Sequence, residues 1–178
     1  MTFSRYAIAL ALASLVATSP IQAGADDPAL RVVLSKATSP AAAEKGSIVV
    51  TVTNTSQRTW LLPIPFTPLQ TPDGHLYNEI FTVTDANGAA TKFIGRRVRV
   101  IPEPRETFYT RLEPGATASK EVDLSADYDL RAGGPYQVRY TQTFQDTAIL
   151  TTDEVHGHEA QSNTLDIWVN AMLQDKRQ

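Results

Sequence analysis

The chain has 178 residues, of which 42% are hydrophobic, 20% are charged and none is cysteine. This composition excludes a disordered, collagen-like or coiled-coil chain, and it excludes disulfides, thiolate metal sites and a cysteine nucleophile. The formal net charge is −3, so the chain has no excess of basic residues, and we expect no nucleic-acid partner. The length suits one domain with a sizeable hydrophobic core.

The first 25 residues have the pattern of a secretory signal peptide. Arg5 supplies a positive start, residues 6–17 form an apolar run, and Ala23-Gly24-Ala25 matches a small-x-small cleavage site. The run is too short to cross a bilayer comfortably as a mature helix, although a buried core helix or a retained anchor is the alternative. We therefore expect export to the periplasm or the exterior, without membrane insertion after cleavage. We expect one domain over residues 26–170 and a tail at residues 171–178.

From residue 30 onwards, apolar residues alternate with polar ones with a period of two, which is typical of β-strands. The alternation predicts strands at residues 30–35, 46–54, 60–64, 81–84, 90–94, 108–112, 118–124, 136–141 and 165–169, with 97–101 as a further candidate. Turn residues at 85–88 and at Pro114-Gly115 predict two hairpins. Together these elements predict an all-β, immunoglobulin-like antiparallel sandwich of about seven to nine strands.

Two tyrosines lie close to a Gly/Pro turn that precedes the strongest late strand. Tyr128 comes before Gly133 and Gly134 in the sequence, and Tyr136 follows Pro135. In immunoglobulin-like sandwiches a tyrosine hydroxyl near the start of a late strand often ties down such a corner. The alternative is that both rings only add buried apolar area. Neither interpretation is catalytic.

The sequence contains no phosphate-binding loop, dinucleotide fingerprint or nucleophile elbow, so we expect no enzymatic activity and no cofactor. Residues 153–159 hold one cluster of possible metal ligands, which are His156, His158 and Glu159. Two histidines two residues apart on a strand share a face, and imidazole with carboxylate can ligate zinc or copper. The cluster is not a zincin helix, because Ser162 stands where the second histidine is required. The alternative is a solvated polar loop or hairpin tip.

Residues 63–74 contain too many prolines for a helix or a central strand, so they predict a long loop. Phe66 and Leu69 lie among these prolines, and His75 follows them. An exposed, proline-stiffened apolar loop would form a partner-binding edge. The alternative is that the loop folds over the open end of the sandwich and buries both apolar residues.

Three arginines, Arg96, Arg97 and Arg99, form a small cationic patch after the predicted strand at residues 90–94. Such a patch is either a solvated strand face or a means of steering an acidic partner. With the loop described above, it completes the candidate partner-binding residues, which are Phe66, Leu69, His75, Arg96 and Arg97.

A series of short motifs runs through residues 30–169. In chain order they are Asn54-Thr55-Ser56, Thr67-Pro68-Leu69, Phe81-Thr82-Val83-Thr84, Gly95-Arg96-Arg97-Val98, Leu112-Glu113-Pro114-Gly115, Val122-Asp123-Leu124-Ser125, Tyr128-Asp129-Leu130, Tyr136-Gln137-Val138-Arg139-Tyr140 and Ser162-Asn163-Thr164. Their order and spacing resemble the N-terminal immunoglobulin-like region of bacterial deuterolysin-type (aspzincin) zinc endopeptidases. The Asn-Thr-Ser and Pro-Gly turns are also similar to a small bacterial proteinase-inhibitor domain of sandwich type.

This resemblance implies a free-standing relative of a pro-region, because in those peptidases the sandwich precedes a catalytic domain with a His-Glu-x-x-His motif. That motif is missing from this sequence, so no catalytic residue is carried over. The usual duties of a pro-region are to assist folding of the peptidase and to block its active site. We therefore expect a secreted, non-catalytic domain that binds a deuterolysin-type metallopeptidase as an inhibitor or folding partner.

Two other functions remain open at this point. One is a periplasmic metal-binding module that uses His156 and His158. The other is a structural or adhesion module that contacts cell-surface glycans or other envelope proteins, since sandwich domains commonly serve in such roles.

Overall fold

A computed structural model of the protein describes residues 29–99, 106–151 and 157–174. The predicted signal peptide, residues 1–25, lies outside these ranges. The described residues form the predicted antiparallel all-β sandwich, with nine strands and one short α-helix. The elements are β1 (Leu30–Lys36), α1 (Pro40–Lys45), β2 (Ser47–Asn54), β3 (Trp60–Pro63), β4 (Phe81–Asp85), β5 (Tyr109–Leu112), β6 (Thr117–Asp123), β7 (Gly134–Asp146), β8 (Gly157–Gln161) and β9 (Leu165–Val169).

The strands form two sheets, one of three strands and one of six. The smaller sheet has the order β1–β2–β6. In the larger sheet the long strand β7 lies in the centre. Its first half pairs with β4 and β9, its second half pairs with β3 and β8, and β5 continues the sheet beyond β3. Strand β7 therefore extends well beyond the predicted residues 136–141, and it joins the two halves of the sheet.

The core lies between the sheets and follows the alternation in the sequence. In β2, Ile48, Val50 and Val52 are completely buried. On the opposite face, the hydroxyls of Thr51 and Thr53 form hydrogen bonds with Ser119 and Thr117 of β6. Each buried aliphatic side chain contributes roughly 1.5–3 kcal/mol relative to exposure. The alternation in β2 therefore identifies both the strand and the face that it buries.

The predicted hairpin around Pro114-Gly115 is wrong, because the two strands that it joins belong to different sheets. Strand β5 pairs with β3, whereas β6 pairs with β2 over seven residues. The turn is held by Asn54, whose buried side chain donates to the carbonyl of Leu112 (2.9 Å). The main chain of Asn54 also exchanges hydrogen bonds with Gly115 and Ala116 (3.0 and 2.9 Å). These long-range bonds hold the turn where the chain passes from the larger sheet to the smaller one.

Residues 90–94 were predicted to be a strand, and they form only two isolated bridges. Ala90 bridges to Thr84, and Phe93 bridges to Tyr128. Residues 97–99 are not a strand either, and residues 100–101 lie outside the described ranges. The segment at residues 90–94 bonds β4 only at its start, where the N–H of Thr91 donates to the carbonyl of Val83 (2.8 Å). From Lys92 onwards its main chain bonds Asp127 and Asp129 instead, so no continuous ladder forms.

Helix α1 was not predicted, because six residues are too few for a helical periodicity. It begins with Pro40 at the first helical position and ends at Gly46, whose left-handed conformation (φ of 109°) suits a glycine C-cap. Among the described residues no helix is long and apolar enough to span a membrane.

One free edge of the smaller sheet is covered by the side chain of Asn163. Its Nδ2 atom donates to the carbonyl of Leu34 in β1 (3.1 Å), and its Oδ1 atom accepts from the main-chain N–H of Leu34 (2.8 Å). Beside it, Ser162 forms an isolated parallel bridge to Val32. At Leu34, the Asn163 amide therefore occupies the hydrogen-bonding positions that an added strand would use.

Candidate functional site

Two segments lie side by side and carry the predicted partner-binding residues. We call residues 64–80 and 92–99 together the loop surface. The N–H of Val98 donates to the carbonyl of Tyr77 (3.0 Å). The side chain of Asn78 donates to the carbonyls of Pro65 and Val98 (3.3 Å each). These bonds bring the proline-rich loop and the arginine segment onto one surface.

Asp127 holds both segments of the loop surface. Its carboxylate is completely buried and accepts from the N–H of Leu76 (2.7 Å) and from Nδ1 of His75 (3.1 Å). Its main-chain carbonyl accepts from the N–H groups of Ile94 and Gly95 (2.8 and 3.1 Å). A Cβ atom on Gly95 would lie 2.5 Å from the carboxylate, so only glycine fits there without a shift. The contact with Asp127 orients the imidazole of His75, whose side chain stays 41% exposed.

Two buried tyrosines hold the main chain near the start of residues 64–80 and directly after them. The hydroxyl of Tyr140 donates to the carbonyl of Phe66 (3.0 Å). The hydroxyl of Tyr128 donates to the carbonyl of Phe81 (2.8 Å) and accepts from its N–H (3.0 Å), where β4 begins. Burial raises the pKa of both hydroxyls far above the usual range of tyrosine. Both groups therefore keep their donated hydrogen over the whole physiological pH range.

The predicted tie between a tyrosine hydroxyl and the Gly/Pro turn is wrong for Tyr128, although this hydroxyl does hold main-chain groups elsewhere. The hydroxyl bonds the main chain of Phe81, 47 residues upstream, instead of the neighbouring Gly/Pro turn. Tyr136 is also buried, but its hydroxyl forms no hydrogen bond with any described residue. Burial raises the pKa of the Tyr136 hydroxyl, as it does for the other two tyrosines. Tyr136 therefore fits the alternative interpretation, in which the ring adds apolar area.

The apolar residues of the proline-rich loop divide between core and surface. Leu69 is partly buried and packs against the core, as the folded-over alternative predicts. Thr67 is buried, and its hydroxyl accepts from the N–H of Leu69 (3.2 Å). Phe66 stays 38% exposed, and Val98 from the other segment is exposed to the same extent. The loop surface thus offers two apolar side chains on a fixed main chain.

The three arginines of residues 92–99 differ in whether they form an ion pair. Arg97 forms an ion pair with Glu79, and its guanidinium lies 5.7 Å from the centre of the Phe93 ring. Arg96 and Arg99 are exposed and form no ion pair with any described residue. Among the described residues, the cations of the loop surface without an ion pair are therefore Lys92, Arg96 and Arg99, while Arg97 is paired.

The predicted metal ligands are only partly within the described residues. His158 lies on β8, and its ring stacks at 5.5 Å on Trp60 with a buried Nε2 atom that has no partner among the described residues. Glu159 follows on the opposite face of the strand and accepts from Gln161 (2.8 Å). His156 lies outside the described ranges. The described residues hold no group of three metal-ligating side chains, and the predicted site stays a prediction.

Sequence reasoning did not identify Asp127 or Tyr140 as the anchors of the loop surface. The partners of Asp127 lie 51 and 52 residues away in the chain, and the partner of Tyr140 lies 74 residues away. Asp127 stands in a stretch that also contains Ser125 and Asp129, so nothing near it in the sequence indicates that its carboxylate is buried.

Comparison with known proteins relates the chain to a metallopeptidase. The chain is similar to the Peptidyl-Lys metalloendopeptidase of Grifola frondosa, with 30% identity over 95 residues. The match covers 49% of this chain and 26% of the relative, so the chain spans about a quarter of the length of that protein. No family model matches the sequence. The similarity supports a link to metalloendopeptidases over half of this chain.

Proposed function

We propose that this protein is an exported, non-catalytic binding partner of a zinc metallopeptidase, acting as a pro-region-like inhibitor or folding partner. One observation carries the proposal. The loop surface presents exposed Phe66 together with Arg96 and Arg99, which pair with no acidic group among the described residues, on a main chain that the buried Asp127 and Tyr140 hold in place. The motif resemblance and the similarity to a metalloendopeptidase indicate the class of the partner.

The construction of the loop surface favours binding. Ordering a loop on association costs affinity, and a loop that is already ordered avoids that cost. Aromatic and arginine side chains are the residues most enriched among those that dominate interface energies. Phe66 and the arginines therefore have both the chemistry and the rigidity of binding anchors.

The charge of the loop surface suits a peptidase that recognises lysine. The relative is named for peptidyl-Lys, and a pocket for a lysine side chain must supply acceptors, because the ammonium group only donates. Arg96 and Arg99 offer cationic donors to such a pocket. A pro-region-like inhibitor would thus occupy the site that otherwise receives the substrate.

The test is binding of residues 26–178 to the Peptidyl-Lys metalloendopeptidase of Grifola frondosa, with cleavage of a lysine-containing peptide followed in the same sample. We expect saturable binding together with either loss of cleavage or improved refolding of the denatured enzyme. The double variant Arg96→Glu, Arg99→Glu should bind about tenfold more weakly or worse, since close charge pairs across interfaces couple by more than 1 kcal/mol.

The matched control is the double variant Arg31→Glu, Arg58→Glu, which reverses two exposed arginines outside the loop surface. It should bind like the unmodified protein. Absence of binding at micromolar concentration would exclude the proposed function for this enzyme class. Equal losses in the two double variants would show attraction by net charge alone, without a role for the loop surface.

A further inference from the structure

The outer face of the six-stranded sheet carries an exposed tryptophan. The chain has two tryptophans, and they differ sharply in burial: Trp60 is 7% exposed and Trp168 is 64% exposed. Trp168 lies on β9 between the buried residues Ile167 and Val169. Because side chains alternate along a strand, the indole ring lies on the face of the sheet that points away from the core.

Strand register places a row of polar side chains beside this ring. Gln137 of β7 pairs with Asp166 of β9 on one side and with Thr84 of β4 on the other. Trp168 pairs with Pro135, so Gln137 is its diagonal neighbour, about 7–8 Å away. The group that we call the outer-face patch consists of Thr82, Thr84, Gln137, Arg139, Asp166 and Trp168.

Hydrogen bonds hold the polar side chains of the patch. The Gln137 amide donates to Oδ1 of Asp166 (3.0 Å). The guanidinium of Arg139 donates through Nη2 (2.8 Å) and Nε (3.3 Å) to the hydroxyl of Thr164. A shallow concavity of about 360 Å³ lies over the part of the face around Gln137 and Arg139; its lining includes Thr82, Thr84, Gln137, Arg139, Thr141 and Thr164, whereas Asp166 and Trp168 lie outside it. Gln137, Asp166 and Arg139 are thus each hydrogen-bonded to a neighbour before any ligand arrives, and all three stand on strands.

The remaining hydrogen-bonding capacity of the patch includes both donors and acceptors. Gln137 and Asp166 each keep an oxygen that accepts, Arg139 keeps N–H groups that donate, and the threonine hydroxyls do both. A sugar hydroxyl likewise donates and accepts. The face of an indole ring is electron-rich, and it attracts the C–H groups on the flat side of a sugar ring.

We propose that the outer-face patch binds a neutral oligosaccharide, with one sugar ring stacked on Trp168 and the next bonded by Gln137, Asp166 and Arg139. This site is separate from the loop surface and does not depend on the proposed function. Other ligand classes fit the patch less well. Nucleic acid is disfavoured by Asp166 and by the net charge of −3. The core of a protein interface is depleted of charged residues, whereas charged and amide groups form the centre of this patch.

The experiment titrates residues 26–178 separately with cellohexaose, chitohexaose and maltohexaose, by calorimetry and by tryptophan emission. We expect at least one of the three to bind saturably below millimolar concentration and to change the emission. Trp60 is buried, so it serves as an internal reference for the change at Trp168. Trp168→Ala should weaken binding about tenfold or more, and Gln137→Ala, which keeps both tryptophans, should weaken it several-fold.

The matched control is Met172→Ala, an exposed apolar residue just after β9 that lies outside the patch. It should bind the sugar like the unmodified protein. The proposal is overturned if none of the three hexasaccharides binds, or if Trp168→Ala binds as well as the unmodified chain. Equal weakening in Met172→Ala would also overturn it, since it would indicate a general apolar surface of the kind that a protein partner covers.

Discussion

The loop surface and the outer-face patch are held in position by different kinds of contact. The loop surface has few ladder hydrogen bonds, so its main-chain groups depend on buried side chains from distant parts of the chain, chiefly Asp127 and Tyr140. The outer-face patch lies on paired strands, and its side chains need only their neighbours across the sheet. At the loop surface, the same side chains therefore determine the stability of the fold and the shape of the site. At the outer-face patch, side chains can be changed with little effect on the stability of the fold.

The coupling has a physical cause. Buried N–H and C=O groups must find partners, and a loop that cannot pair with a strand must obtain them from side chains. Each such side chain then supports both the fold and the surface. Substitutions at the anchors should consequently cost more stability than substitutions at the patch, and the predictions below test this difference in descending order of effect.

The largest loss should follow Asp127→Ala. The substitution leaves the buried N–H of Leu76 without its partner and removes the contact that orients His75, so we expect the free energy of unfolding to fall by about 3 kcal/mol. The measurement is urea unfolding. The control is Asp129→Ala, which breaks an ion pair with Arg131 near the surface and should cost less than about 1 kcal/mol. Similar losses for the two variants would contradict the role of Asp127 as anchor.

Tyr128→Phe should have the next largest effect. It removes one hydroxyl that both donates to and accepts from the main chain of Phe81, and it leaves both main-chain groups buried without that partner. We expect a loss of about 2 kcal/mol in the same unfolding measurement. Tyr136→Phe is the matched control, because that hydroxyl bonds no described residue, and it should change stability by less than about 0.5 kcal/mol.

Tyr140→Phe should cost about 1 kcal/mol, because it removes a single hydrogen bond to the carbonyl of Phe66, a residue that is partly exposed to water. Under the proposed function it should also weaken peptidase binding, since Phe66 loses its support. Unchanged binding together with reduced stability would mean that the position of Phe66 does not contribute to recognition. Calorimetric titration with the peptidase measures the binding part.

The ion pair of Asp129 gives a prediction for acid conditions. The hydrogen bonds from Arg131 lower the pKa of Asp129 from 3.8 to about 2. A carboxylate whose pKa is lower in the folded state stabilises the fold above pH 3.8, and that contribution is lost as the pH falls through about 2. Asp129→Asn should therefore be less stable than the unmodified protein, by less than about 1 kcal/mol, only above this window. A difference that persists at lower pH would assign the effect to packing.

The smallest effect should follow Trp168→Ala. The ring is 64% exposed on a paired strand, so the free energy of unfolding should change by less than about 0.5 kcal/mol. A loss above about 1 kcal/mol would show that the patch is coupled to the fold as strongly as the loop surface is.

Much of the fold could be predicted from the sequence, because the relevant signals are local. The alternation of Ile48, Val50 and Val52 with threonines marks β2 and its buried face. The turn after β2 is local as well, because Oδ1 of Asn54 accepts from the N–H of Ser56 (3.0 Å). Such features depend on residues that are close in the chain.

The features that were missed depend on residues that are far apart. Whether the strands beside Pro114-Gly115 pair with each other is decided by β2 and β3, which compete for them. Strand β8 has little apolar character, and it forms because β7 offers it five paired positions. The anchoring role of Asp127 is likewise invisible locally. For the candidate sites, therefore, the sequence indicated exposed residue types, and the structure supplied the groups that position them.

The amide of Asn163 has a consequence for self-association. By bonding both main-chain groups of Leu34, it occupies the edge at which β1 would otherwise accept a strand from another copy of the protein. At the other edge of the same sheet, Lys120 of β6 lies on the same face as the buried Val122, yet it is exposed. A charged side chain on the core-facing side of an edge strand disfavours the pairing of an added strand. Asn163 with the neighbouring Ser162 bridge at one edge, and Lys120 at the other, thus disfavour the addition of a strand from another copy of the protein.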